Sequence, residues 1–109
     1  MNREFPTNPA EITLKVIDNK WKALILENLY TGIKRTRDLK NSIKGLNQKT
    51  SSQNLKEMEY DKIIVRKSYP EVPPKVVYTL TDLGMDLNPI HDSLISWGNN
   101  YKNIVLKKD

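Results

Sequence analysis

Residues Asn47 to Lys62 read NQKTSSQNLKEMEYDK, and the fold turns on whether this stretch is a helix with one buried and one free polar face. On 3.6-residue spacing, Ser51, Leu55, Met58 and Lys62 fall along one side, while Gln48, Lys49, Ser52, Gln53 and Lys56 fall along another. The first side is the one expected to pack. Asn47 is a good N-cap, because its side-chain oxygen accepts from the first unpaired amides, and Gly45 suits the end of a preceding helix. The free face holds two cations, two amides, a hydroxyl and no carboxylate, a mixture able to pair with base edges and phosphates together. A merely solvated face is the bland alternative, and the rest of the chain decides between the two.

Upstream, Ile33 to Arg35 reads as a short strand or extended lead-in, and Thr36 as the cap of a helix ending at Gly45 with Leu39 and Ile43 on its buried side. Leu46, just before the Asn47 cap, is placed to close on Ser51 or Leu55 as a staple does. Helix, tight turn and helix make a helix-turn-helix. Further back, Asn8 as N-cap, Pro9 at the first helical position and Glu11 in the first turn start a short helix carrying Ile12, Val16 and Ile17 and ending near Asp18 and Asn19. The run KWKALILENLY spreads Trp21, Leu24, Ile25, Leu26 and Leu29 over much of a helix circumference, which marks a central core helix stopped by Gly32.

Downstream, IIVRKSY and KVVYTL are rich in β-branched and aromatic residues and flank PEVPP, whose prolines forbid helix. They predict a two-stranded antiparallel hairpin, in which Val65, Lys67 and Tyr69 alternate with Ile64, Arg66 and Ser68. A helix-turn-helix followed by a basic hairpin is a winged-helix arrangement. Thr81 caps a last helical region starting DLG and running towards Val105. There Leu83, Leu87, Ile90, Leu94, Trp97, Tyr101 and Ile104 recur at alternating steps of four and three, the spacing of a helix-helix seam. Pro89 predicts a bend or break near Asn88, Gly98 a weaker later part, and KNIVLKKD a fraying tail.

The fold class expected is therefore mainly α with a small antiparallel β-hairpin (α+β), in one domain over residues 1–109. It divides into a polar arm (1–7), N-terminal helices (8–32), helix-turn-helix (33–62), wing (63–80) and C-terminal dimerisation helices (81–106). A chain of 109 residues has room for one core, burying roughly 65% of its unfolded surface. The net charge of +5 favours a polyanionic partner. Its distribution says more: Lys and Arg against Asp and Glu number 4 and 4 in residues 1–32, 11 and 5 in residues 33–75, and 3 and 4 in residues 76–109. The excess surrounds the central helix. The absence of cysteine excludes disulfides, thiolate metal sites and thiol redox sensing. No apolar run approaches a membrane span, and MNREFPTNPAEI lacks a signal peptide's apolar region, so a soluble, cytoplasmic protein without a membrane partner is expected.

With these elements in place, the chain resembles the HxlR-type winged helix-turn-helix transcriptional regulators, relatives of the MarR group. The resemblance rests on NPAEITLKVIDNKWKALILENL, KRTRDLKNSIKGLNQKTSSQNLKEMEYDKIIVR, YPEVPPKVVYTLTDLG and the late SWG. It implies a homodimer on a pseudo-palindromic double-stranded DNA operator, with terminal helices forming the dimer and recognition helices and wings facing DNA. Carried over by position, Gln48, Lys49, Ser52, Gln53 and Lys56 fall on the recognition helix, Arg35 with Thr36 at the phosphate-contacting lead-in, and Arg66, Lys67 and Lys75 on the wing. The dimer seam takes Ile12, Val16, Leu87, Ile90, Leu94, Trp97, Tyr101 and Ile104. Many members carry a cysteine before the proline of the first helix, where this chain has Asn8. Asp18-Asn19 replaces a frequently Gly-rich pair.

Other features carry less. His91, the single histidine, reads as ordinary surface or interface rather than a metal ligand. Trp97 and Tyr101 read as packing anchors, although a pocket between the terminal helices and Trp21 would admit a small apolar effector. Glu57, Glu59 and Asp61 lack a nucleophile or base in register and are expected to pair with Arg66, Lys62 or other neighbours, or to repel phosphate. Neither a cofactor nor catalysis is expected, since a phosphate-cradling glycine loop is missing too. A winged helix used for protein assembly without specific DNA binding is the alternative function.

Overall fold

The computed structural model describes residues 3–32 and 34–107. Ile33, where the lead-in was expected to begin, lies outside the described residues, as do the first two residues of the arm and the last two of the tail. Helix α1 spans Pro9–Val16, and Asn8 caps it as its position before Pro9 predicts, accepting from the amides of Ala10 and Glu11. Helix α2 spans Lys20–Leu29 under an Asn19 cap that accepts from the Lys22 amide. Strand β1, Lys34–Arg35, leads into α3, Thr36–Ser42, and α4 spans Gln48–Tyr60. Strands β2, Ile64–Tyr69, and β3, Lys75–Leu80, precede α5, Asp82–Met85, and α6, Asn88–Tyr101, which ends in a π-helical turn over Lys102–Leu106.

One core joins these pieces. Ile25, Leu26 and Leu29 of α2 meet Leu39 and Ile43, Leu46, Leu55 and Met58 of α4, and Ile63, Ile64 and Tyr78 from the wing. Ser51, Leu55 and Met58 are buried as their spacing predicts, and Leu46 joins the same cluster as Leu55. Trp21 and Leu24 pack on its edge, half-buried. The residue sealed inside α2 is Lys22, fully buried and unforeseen.

Four local expectations are corrected. Lys62 is exposed rather than on the buried side, because α4 has already ended: at φ 64° it takes the left-handed position after the cap, with its amide on the Glu59 carbonyl (3.0 Å) and the Ile63 amide on the Met58 carbonyl (2.9 Å). That is a Schellman closure, with buried Met58 and Ile63 supplying its apolar contact. Thr36 is the first helical residue of α3, not its cap; Arg35 holds the cap position without a side-chain bond. That helix stops at Ser42 rather than Gly45, the backbone turning extended at Ile43, so that both Ile43 and Leu46 reach the core. Gly45 sits in the turn at φ 87°, in the left-handed region where glycine costs least. Finally, the hairpin is part of a three-stranded antiparallel sheet in the order β1-β3-β2, because Lys34 and Arg35 pair with Tyr78 and Val77.

Behind the wing, Thr81 caps α5 by accepting from the Gly84 amide, and its own amide donates to the Ile63 carbonyl at 3.0 Å. Gly84 lies so close to that carbonyl that a β-carbon would collide with it, which fixes α5 against the start of β2. The helical region then breaks at Asp86 and Leu87, and Pro89 stands in the first turn of α6, where its missing N–H costs nothing. Gly98 does not interrupt α6, and residues 102–106 continue as the π-turn instead of fraying. The molecule measures 54 × 38 × 24 Å.

Candidate nucleic-acid interface

An open groove of about 800 Å³ runs between α3, α4 and the wing. Arg35, Thr36, Arg37 and Lys40 line one wall, Gln48, Ser52, Lys56 and Glu59 another, and Arg66 with Val76 and Tyr78 the third. Five cations face one carboxylate there. Helical geometry explains the second wall: Gln48, Ser52, Lys56 and Glu59 recur at three and four residues, so they share a face of α4. The buried side of the same helix, Ser51, Asn54, Leu55 and Met58, presses against the core, which leaves the polar face pointing out.

Part of this face is already organised. Lys40 Nζ donates to Gln48 Oε1 at 2.6 Å, and Gln48 Nε2 donates to Ser52 Oγ at 3.0 Å. The chain from α3 to α4 therefore aims Gln48 and Ser52, one turn apart on the first half of the helix. Lys49 and Gln53 lie next to this line, exposed and turned beyond the groove wall, so all five side chains assigned to the recognition helix reach solvent. Arg37 and Lys40 were missed in the sequence reading; the cationic run KRTRDLK was their signal, and their position on the wall follows from the tight α3–α4 turn.

The wing divides its cations between two faces. Arg66 pairs with Tyr78 across the ladder and shares its groove-facing side, whereas Lys67 pairs with Val77, and Lys75 with Tyr69, at alternate positions. Lys67, Tyr69 and Lys75 thus share the opposite face, where Lys75 Nζ stands 5.2 Å from the centre of the Tyr69 ring. Of the ten DNA-binding assignments, the groove brings together Arg35, Thr36, Gln48, Ser52, Lys56 and Arg66. Lys49, Gln53, Lys67 and Lys75 lie outside its lining.

From its middle to its C-terminal cap, the inward side of α4 is tied to the protein. Asn54 accepts from Asn19 Nδ2 at 2.9 Å and donates to the Thr50 carbonyl. Glu57 accepts from buried Lys22 at 2.6 Å, and Lys22 also lies 3.1 Å from Asp18. Arg3 donates through Nε and Nη2 to the two oxygens of Asp61 at 2.8 and 2.7 Å, and its Nη1 is 3.5 Å from Glu57. The hydrogen bond to Asp61 and the neighbouring carboxylates hold the Arg3 guanidinium above its ordinary pKa, against the opposing effect of burial. Pairing of Glu57 and Asp61 was expected, but with Arg66 or Lys62 or other neighbours; the partners come from the arm and α2. Glu59 lines the groove instead.

At the far side, the α5–α6 stripe is largely open. Trp97 is 68% and Ile104 72% exposed, and Leu83, Ile90, Leu94 and Tyr101 are exposed as well. Trp97 and Tyr101 stack at 5.2 Å. Ile12 is exposed on α1, while Val16 and Leu87 pack partly on their own core. His91 is buried rather than on the surface, its Nε2 3.4 Å from Glu27 and its ring 5.8 Å from that of Tyr30. Burial, with Asp92 nearby, pushes the Tyr30 phenol up. The apolar cleft at this point, lined by Ile17, Leu26, Leu87, Ile90 and Leu94 among others, measures about 10 Å³ and excludes Trp21, so it is too small for an organic effector. Among the described residues no cluster of His, Asp and Glu is placed to hold a metal, and no helix is long and apolar enough to cross a membrane.

A three-stranded winged sheet beside a helix-turn-helix, with a cationic groove between them, defines a winged-helix protein. The chain belongs to the HxlR-like helix-turn-helix family, whose model matches residues 16–105. It is 46% identical over 91 residues to the HTH-type transcriptional regulator YkvN of Bacillus subtilis, covering 84% of this chain and 77% of that protein. The crystal structure of the HTH-type regulator YtcD matches with a TM-score of 0.83 at 44% identity, over 89% of this chain and 99% of that one. The redox regulator HypR in its reduced form matches with a TM-score of 0.85 at 35% identity, over 90% and 97%. The chain is accordingly a DNA-binding transcriptional regulator by family, not an enzyme. Its 109 residues hold no cysteine, and at the position before Pro9 Asn8 caps α1.

Proposed function

We propose that this protein binds a specific double-stranded DNA operator as a homodimer, with α4 in the major groove and the wing on the backbone or in the minor groove. The observation that carries the reading is the convergence of Arg35, Arg37, Lys40, Lys56 and Arg66 around the free polar face of α4. Cations on three walls at once meet successive phosphates, while Gln48, Ser52 and Gln53 are of the types that pair with base edges. Lys67 and Lys75, on the other face of the wing, are assigned to the flanking backbone. Within a dimer the two α4 helices would enter half-sites about 34 Å apart.

The exposed α5–α6 stripe supports the homodimer, since so regular an apolar row gains by burial against a second copy. An apolar effector would sit between the copies, because the internal cleft is too small. Selection of genomic fragments on the purified protein tests the operator reading: a recovered pseudo-palindrome supports it, and recovery without sequence preference contradicts it. Sedimentation at micromolar concentration tests the dimer, which a stable monomer would contradict.

A further inference from the structure

The last turn of α4 has the wrong charge for its position. The carboxyl end of a helix is the negative pole of its dipole, yet this one carries Glu57, Glu59 and Asp61 and no cation of its own. The compensation comes from elsewhere: Lys22 on α2 and Arg3 in the arm. The Arg3 side chain is 9% exposed and that of Asp61 3%, so the pair is shielded from solvent, and every guanidinium nitrogen faces a carboxylate. The arm itself is steadied by Phe5, whose ring lies 5.4 Å from the Arg3 guanidinium and 5.6 Å from Lys15 of α1. Arg3 and Phe5 both precede the residues matched by the family model.

Resting on the reading of α4 as the DNA-contacting helix, we infer that Arg3 is a positioning residue for that helix, a two-pronged latch that sets the angle at which its free end meets the bases. Base contacts are short and directional, whereas phosphate attraction falls off slowly with distance. Loosening the latched end therefore costs discrimination between sequences more than it costs general affinity for DNA. Because the Arg3 charge is already matched within the chain by Asp61 and Glu57, its removal is expected to leave the number of released counterions unchanged.

The test uses the full chain with Arg3→Gln, Asp61→Asn and the double substitution. Affinities are measured for the selected duplex and a scrambled duplex over a range of salt, with thermal melts in parallel. Each single change is expected to lower the ratio of the two affinities by about 5- to 20-fold at unchanged salt slope. The double is expected to lose no more than the more affected single, because both break one interaction. Arg3→Lys, which keeps the charge but not the fork, recovers part of the ratio and carries the test if the glutamine variant does not fold. An unchanged ratio in the folded variants overturns the inference, as does a salt slope lowered by about one, which would make Arg3 a phosphate contact. A wild-type chain with equal affinity for both duplexes overturns the DNA reading itself, and the latch with it.

Discussion

Along its outer face α4 presents Gln48, Lys49, Ser52, Gln53 and Lys56, with Gln48 bonded to both Lys40 and Ser52. From its middle to its C-terminal cap, residues of similar polarity on the inward side, Asn54, Glu57 and Asp61, are spent on Asn19, Lys22 and Arg3 within the chain. Composition alone does not separate these two sets. What separates them is whether the partner is reached on the part-buried inner side of α4, and the residues bonded only at the exposed surface, or not at all, are those free to meet a ligand. The buried charges also fix α4 to α2 at one end, so that the free end is presented at a defined angle.

The comparison breaks most visibly at Lys22. Replacing it with alanine leaves Glu57 and Asp18 without their buried cation and removes the packed stem, and is expected to cost about 3 kcal/mol of stability in urea unfolding. A loss below about 0.5 kcal/mol would make the tied end no different from ordinary surface. At the free end the signs reverse. Gln53→Ala is expected to leave unfolding within about 0.5 kcal/mol of wild type and to weaken binding of the selected duplex by about 1 to 3 kcal/mol, relaxing preference at one position. Equal weakening for every sequence would remove Gln53 from the base readers. The smallest contrast lies in the wing: Arg66→Ala is expected to lower the salt slope by about one, and Lys67→Ala, on the opposite face, by less. Equal effects would mean that both faces of the wing reach phosphate.

Much of this architecture was legible in the chain because it is local. Asn47, Asn8 and Thr81 announce helix starts through their own side chains, and Ser51, Leu55 and Met58 mark a buried face by spacing alone. The alternation of Arg66 with Lys67 was legible too, although which side faced α4 required the sheet register. The latch was not legible, since Arg3 and Asp61 are 58 residues apart and a lysine inside a helix, such as Lys22, reads as solvated until its partners are placed. The short strand or extended lead-in expected up to Arg35 is strand β1, but its pairing was not legible for a related reason: two residues carry no periodicity, and only the register shows that they lie along the edge of β3. Lys62 misled because a left-handed cap was occupied by a residue with no glycine signal.

The central claim is that the cationic groove around α4 neutralises DNA phosphates while its free polar face reads bases. Titration of binding to the selected duplex against salt tests it most directly. With about 5 to 8 phosphates neutralised per dimer, the log of affinity is expected to fall against the log of salt with a slope of about −4.5 to −7. An affinity that does not change with salt would contradict the account.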